Sequence, residues 1–137
     1  MKHINLKLGA LAAAAAAATA SVAPTAVLAH HSFAMFDRTK QETIKGTVKD
    51  FQWTNPHVWI QLAVRNAEGQ TEEWSIEAAP PNMLFRQGWD NTTFKVGDNV
   101  SVVINPLRNG GHGGTFVAAT LANGKTIGNV RGAPPPG

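Results

Sequence analysis

Apolar and polar residues alternate with a period of two through most of the chain after residue 41. Ile44, Gly46 and Val48 alternate with Thr43, Lys45, Thr47 and Lys49, the pattern of a half-buried strand. The alternation slips at Asp50, where Phe51 and Trp53 take over the apolar face, so a bulge or strong bend is expected there. Past the turn Asn55-Pro56, Val58, Ile60, Leu62 and Val64 form the clearest strand, and Asn66 to Gly69 reads as a turn. Glu73 to Glu77 alternates again. Trp74 and Ile76 face inward, and Glu73 and Glu77 lie on the wet side.

The period then changes. Pro80-Pro81 opens a short helical turn through Met83, Leu84 and Phe85, and Gly88 closes it. Val96-Gly97-Asp98 turns into a fourth strand, Val100 to Ile104, which Asn105-Pro106 stops. Arg108 to Gly114 reads as a flexible loop holding four glycines around His112, and a further strand runs from Thr115 to Leu121. Asn123-Gly124 is a hairpin signal that lets Lys125 to Val130 pair back. Three strands, a short helix and two or three more strands predict an all-β fold. That order fits a small OB-like barrel of five to six strands with its helix between strands 3 and 4, although an open sandwich would use the same strands.

The first 29 residues stand apart. Lys2 and Lys7 precede an uncharged apolar run from Leu8 to Ala18, and Val27-Leu28-Ala29 offers modest side chains where a signal peptidase reads. The run is about 11 residues, short of the ~20 of a membrane span, so a cleaved secretory signal with no remaining transmembrane anchor is expected. Cleavage after Ala29 is favoured over Ala23, because Pro24 would hinder the earlier cut. The expected organisation is a signal at 1–29, an arm at 30–41, the barrel at 42–127 and a disordered Pro/Gly tail at 128–137.

Composition matters mainly after that cut. Two of the twelve Lys and Arg leave with the signal, so ten face nine Asp and Glu in a mature chain of about 108 residues. A surface this near neutrality gives no reason to expect nucleic acid, even though Trp53, Trp59, Trp74 and Trp89 could stack bases on a barrel face. The chain has no cysteine, which removes disulfides and thiolate metal sites.

The opening His30-His31-Ser32-Phe33-Ala34-Met35-Phe36-Asp37, with Gly46-Thr47-Val48, Trp53-Thr54-Asn55-Pro56-His57 and the Gly97-Asp98 step, resembles a family of small exported bacterial proteins of uncharacterised function. The resemblance implies export and a compact β-fold, and no activity.

Candidate chemistry rests on four histidines: His30, His31, His57 and His112. Cleavage after Ala29 would free the α-amine of His30, which could chelate one ion with its own ring. Another imidazole would complete a nitrogen-rich set suited to Cu(II). This looks like the histidine brace of copper monooxygenases and periplasmic copper carriers, matched here only by the terminal histidine and the presence of later ones. Met35 reads first as core packing and second as a thioether for Cu(I), and Asp37 as a solvated carboxylate or an imidazole partner. Hydrolytic catalysis finds no support, since Ser32, Ser75 and Ser101 sit in no nucleophile-elbow context. The leading expectation is a periplasmic or secreted metal-binding protein, for copper carriage or buffering. The alternative is a non-catalytic module that binds an envelope protein without metal.

Overall fold

The computed structural model describes residues 33–129, the side chain of Phe33 excepted. Six strands follow one another: β1 (Glu42–Gln52), β2 (Trp59–Arg65), β3 (Thr71–Glu77), β4 (Asn99–Pro106), β5 (Gly113–Thr120) and β6 (Thr126–Gly128). One helix, α1 (Pro81–Phe85), lies between β3 and β4. The sheet order is β3-β2-β1-β4-β5-β6, and β3 also pairs with β5. That pairing closes five strands into an OB-type barrel with β6 as an extra strand.

The alternation produces this directly. Val58, Ile60, Leu62, Ile76, Val102 and Ile104 are wholly buried inside the barrel. The expected irregularity in β1 is a register shift between Val48 and Asp50 against β2, with Lys49 as the added residue. It lets β1 leave β4 and carry Phe51 towards Phe94, ring centroids 5.3 Å apart. Pro81 sits in the first turn of α1, and Gly88 follows with a φ of 84°. The helix presses Leu84 into the core next to Trp89 and Phe94. Trp89 meets Phe116 edge-on at 4.8 Å.

The seam between β3 and β5 is parallel, with Ser75 opposite Gly113, Ile76 opposite Gly114 and Glu77 opposite Thr115. Gly113 makes it possible, and Gly114 allows the equally close approach of β5 to β4 beside it. A Cβ on Gly113 would lie 2.6 Å from the Ser75 carbonyl oxygen, and one on Gly114 would lie 2.5 Å from that of Asn105. The run expected to be a flexible loop is therefore partly the closing strand of the barrel. Glycine is needed there for close approach of backbones, not for freedom.

The arm is tied to the barrel beside β4. Phe36 is buried and forms a β-bridge with Leu107. The Asp37 N–H donates to the Pro106 carbonyl (2.8 Å) and the Arg108 N–H to that of Met35 (2.9 Å). Arg108 Nε donates to the Ala34 carbonyl (3.0 Å). Met35 is not core packing: it is 43% exposed, because the short 3-10 turn Phe33–Met35 leaves Phe36 to fill the apolar seat.

Candidate functional site

His112 stands at the entry to β5, between Gly110-Gly111 and Gly113-Gly114. Its carbonyl accepts from the Ser75 N–H (3.2 Å), and Gly113 N–H bonds back to Gly111 (2.9 Å). The ring lies flat on the Trp74 indole, centroids 5.1 Å apart and planes 13° from parallel. These contacts hold the imidazole where the glycine content alone suggested a loose loop.

Glu72 completes the group. It shares the face of Trp74, two residues on, and its Oε2 lies 3.5 Å from His112 Nε2. The carboxylate is itself oriented: Asn66 Nδ2 donates to Oε1 (2.9 Å), and the Trp74 indole N–H reaches Oε2 (3.5 Å). The Asn66 hydrogen bond, then the Trp74 contact and the charge of His112, hold the Glu72 carboxyl below its ordinary range against a smaller opposing effect of desolvation. It is ionised and available as a ligand. Two metal–ligand bonds of about 2.0–2.2 Å at angles between square and tetrahedral set donor atoms about 3–3.5 Å apart. The 3.5 Å between Nε2 and Oε2 is long for a hydrogen bond and falls within that spacing.

His57 belongs to a different environment. It follows the cis Asn55-Pro56 bond, and its Nδ1 pairs with Glu77 Oε1. The expectation that Glu77 is on the wet side is corrected here: the residue is only 4% exposed. Alternation does put Glu77 on the outward face, directly opposite Trp59 on β2 and Thr115 on β5. A period-two pattern reports which face a residue occupies, not what covers that face. Glu77 Oε2 is buried with no hydrogen-bond partner.

Glu72 and Glu77 are an odd number of residues apart on β3, so they point to opposite faces. His112 and His57, each paired with one of them, are therefore not brought together. Among the described residues, no three His, Asp or Glu side chains are grouped closely enough to hold a metal ion. His30 and His31, the other two expected ligands, lie outside the described residues. Among the described residues Asp37 has no imidazole partner. It accepts from Thr39 Oγ1 (2.6 Å) and N–H (3.1 Å) and pairs with Lys40 (3.5 Å) and Arg108 (4.0 Å), clasping the arm. Glu72 is the site residue that sequence reasoning missed. Its one signal was a place on the Trp74 face of a strand.

No described helix is long and apolar enough to cross a membrane. The profile of a family of unknown function, DUF6152, matches residues 13–117. The fold is similar to crystal structures of the mitochondrial single-stranded DNA binding protein Rim1 from S. cerevisiae. One form shows 14% identity and a TM-score of 0.46, covering 60% of this chain and 92% of that one. The selenomethionine-labelled crystal gives 15% and 0.44, with the same coverage. No curated protein matches the chain.

Proposed function

This chain belongs to the DUF6152 family of unknown function, and from its own residues we propose that it is an exported copper-binding protein. Its ligands in this reading are His112, Glu72 and the histidine pair His30-His31. The observation that carries the reading is the prearranged pair of donors, His112 Nε2 and Glu72 Oε2, 3.5 Å apart. Both are oriented by neighbours that are not themselves ligands, as metal ligands usually are.

The path of the arm supports the rest. It runs antiparallel to the end of β4, so the arm followed back from Phe36 to Ala34 heads towards the loop that carries His112. Phe36 pairs with Leu107, whose N–H bonds to the Gly113 carbonyl (3.1 Å). Two strand spacings, about 10 Å, separate the arm from the start of β5. His31 is five residues before Phe36, a reach of up to about 17 Å when extended. Covalent geometry thus allows either histidine of the pair to meet His112.

A free α-amine on His30, produced by cleavage after Ala29, would add a nitrogen donor. Nitrogen-rich sets favour Cu(II) over the other common divalent metals. The role proposed is carriage or buffering in the periplasm.

The test is Cu(II) titration of the processed protein, followed by electron paramagnetic resonance. One equivalent should bind with nitrogen hyperfine structure, and His112→Ala and Glu72→Gln should each weaken binding about 10-fold or more. His57→Ala should leave the spectrum unchanged. Unaltered binding in the His112 and Glu72 variants would sink the proposal. A version with one extra N-terminal residue tests the amine separately.

A further inference from the structure

One end of the barrel is formed where β1 and β3 begin and β4 finishes. Alternation carries three residues past the last core layer there: Glu42 beyond Ile44, Trp74 beyond Ile76 and Pro106 beyond Ile104. The antiparallel ladders from β3 through β2 and β1 to β4 put all three at the same end. With Leu107 and Arg108 from the loop after β4, and Asp37 and Lys40 from the docked arm, they wall a pocket of about 320 Å³. Gly110 and Gly111 close its loop side and bring no side chain to fill the space. The mouths of β-barrels are a common seat for small ligands, and this volume stands at the lower end of the usual ~300–1,000 Å³.

This mouth holds one unbalanced charge of each sign. Lys40 and Arg108 share a single carboxylate, that of Asp37, at 3.5 and 4.0 Å. The Arg108 guanidinium donates through Nε to the Ala34 carbonyl, and with a side chain 57% exposed it keeps further N–H groups for a ligand. Among the described residues the Glu42 carboxylate makes no hydrogen bond or ion pair. The Trp74 indole, Pro106 and Leu107 make the rest of the wall apolar.

We propose that this mouth binds a free α-amino acid with an apolar side chain. The ligand's ammonium pairs with Glu42, its carboxylate takes the unused donors of Arg108 and Lys40, and its side chain lies against Trp74 and Leu107. A guanidinium fork matches a carboxylate in shape as well as in charge. A zwitterion answers both unbalanced charges at once, whereas a simple amine or a simple acid would leave one of them uncompensated. Trp74 also stacks on His112, but neither His112 nor Glu72 lines the pocket, and this inference does not depend on the metal reading.

The test is a titration of the protein, kept metal-free by a chelator, with leucine. The readout is the Trp74 indole N–H and the Gly110 and Gly111 amides in nitrogen–proton correlation spectra. Leucine amide, which lacks the carboxylate, and N-acetylleucine, which lacks the ammonium, separate a free amino acid from either end of a peptide. Leucine should shift these signals with a Kd in the millimolar range or below, and each derivative should bind about 10-fold more weakly. Glu42 is exposed on the rim, so Glu42→Gln leaves the core intact. That variant should bind leucine about 5-fold more weakly or worse and N-acetylleucine as the wild type does. Trp74 signals that leucine does not move would overturn the inference. So would derivatives that bind as tightly as leucine, or a Glu42→Gln protein with undiminished affinity for it, because the pocket would then not read the two charges together.

Discussion

Replacing Gly114 by alanine should cost far more stability than replacing Gly111, three residues earlier in the same glycine-rich run. A Cβ at 114 would sit 2.5 Å from the Asn105 carbonyl oxygen and 2.7 Å from Ile104 Cδ1. Contacts below 3.0 Å are essentially never made by real Cβ atoms, so about half an ångström must be found. It cannot come cheaply. Gly114 is paired with Pro106 on one side and Ile76 on the other, and the nearest obstacle is backbone. Overpacking of this kind costs about 1–3 kcal/mol. The unfolded chain gives back about 0.4–1 kcal/mol, because alanine has less freedom to lose. The net is a loss of about 1–2 kcal/mol, or roughly 5–15 °C in Tm for a domain of this size. At Gly111 the nearest contact is the Asn109 side-chain oxygen at 3.1 Å, which can move, so the change there should stay within about 0.5 kcal/mol. Thermal unfolding of the two variants beside the wild type decides it. Equal melting of both, or Gly114→Ala melting at or above the wild type, would refute the account of β5 as held against β4 by a close approach of backbones.

Three other outcomes are expected. His57→Ala strips the buried Glu77 of its partner and should lower stability in urea by roughly 1.5–3 kcal/mol; adding Glu77→Gln should restore part of that, and no recovery would count against the pair. Hydrogen bonds from Thr39, followed by the charges of Arg108 and Lys40, keep the Asp37 carboxyl below its ordinary range. The resulting stabilisation of the docked arm is complete above the ordinary carboxyl range and is lost as pH falls through the lowered value. Amide exchange at Phe36 to Arg38 should therefore accelerate in acid, while Asp37→Asn should show fast exchange already at neutral pH; an acid step of undiminished size in that variant would contradict the assignment. Asn66→Ala frees Glu72 and should weaken copper binding by about 10-fold in a chelator competition, and an unchanged constant would mean that Asn66 does not orient the ligand.

The elements built on local pattern were readable in the residues. Ile44 to Val48, Val58 to Leu62 and Val100 to Ile104 alternate because one face of each strand meets the core. The slip at Asp50 marked the bulge because an added residue inverts the pattern. Pro81 and Gly88 marked α1 through backbone preferences that act within a few residues. The closing pairing was not readable. It joins β3 to β5 past Gly113, whose function depends on the Ser75 carbonyl far away in sequence, and so that glycine looked like a loop residue. Glu77 was misjudged for a related reason, since its burial comes from neighbours across the sheet. Glu72 was passed over because a carboxylate on a strand declares nothing until His112 is laid over Trp74 beside it. His30 and His31 are outside the described residues, so their place as ligands stays a proposal.

The parallel seam also bears on the order in which the molecule comes together. Thr115 and the Glu77 carbonyl that it bonds are 38 residues apart, whereas the β1–β2 and β2–β3 ladders join neighbours along the chain. Closing so long a loop carries an entropic cost before any contact repays it. Glu72 on β3 and His112 at the entry to β5 meet across that seam, so their 3.5 Å approach does not exist in a chain whose barrel is still open. An ion held by both would bind the closed barrel and not the open chain, so metal occupancy and closure of this seam would be thermodynamically coupled.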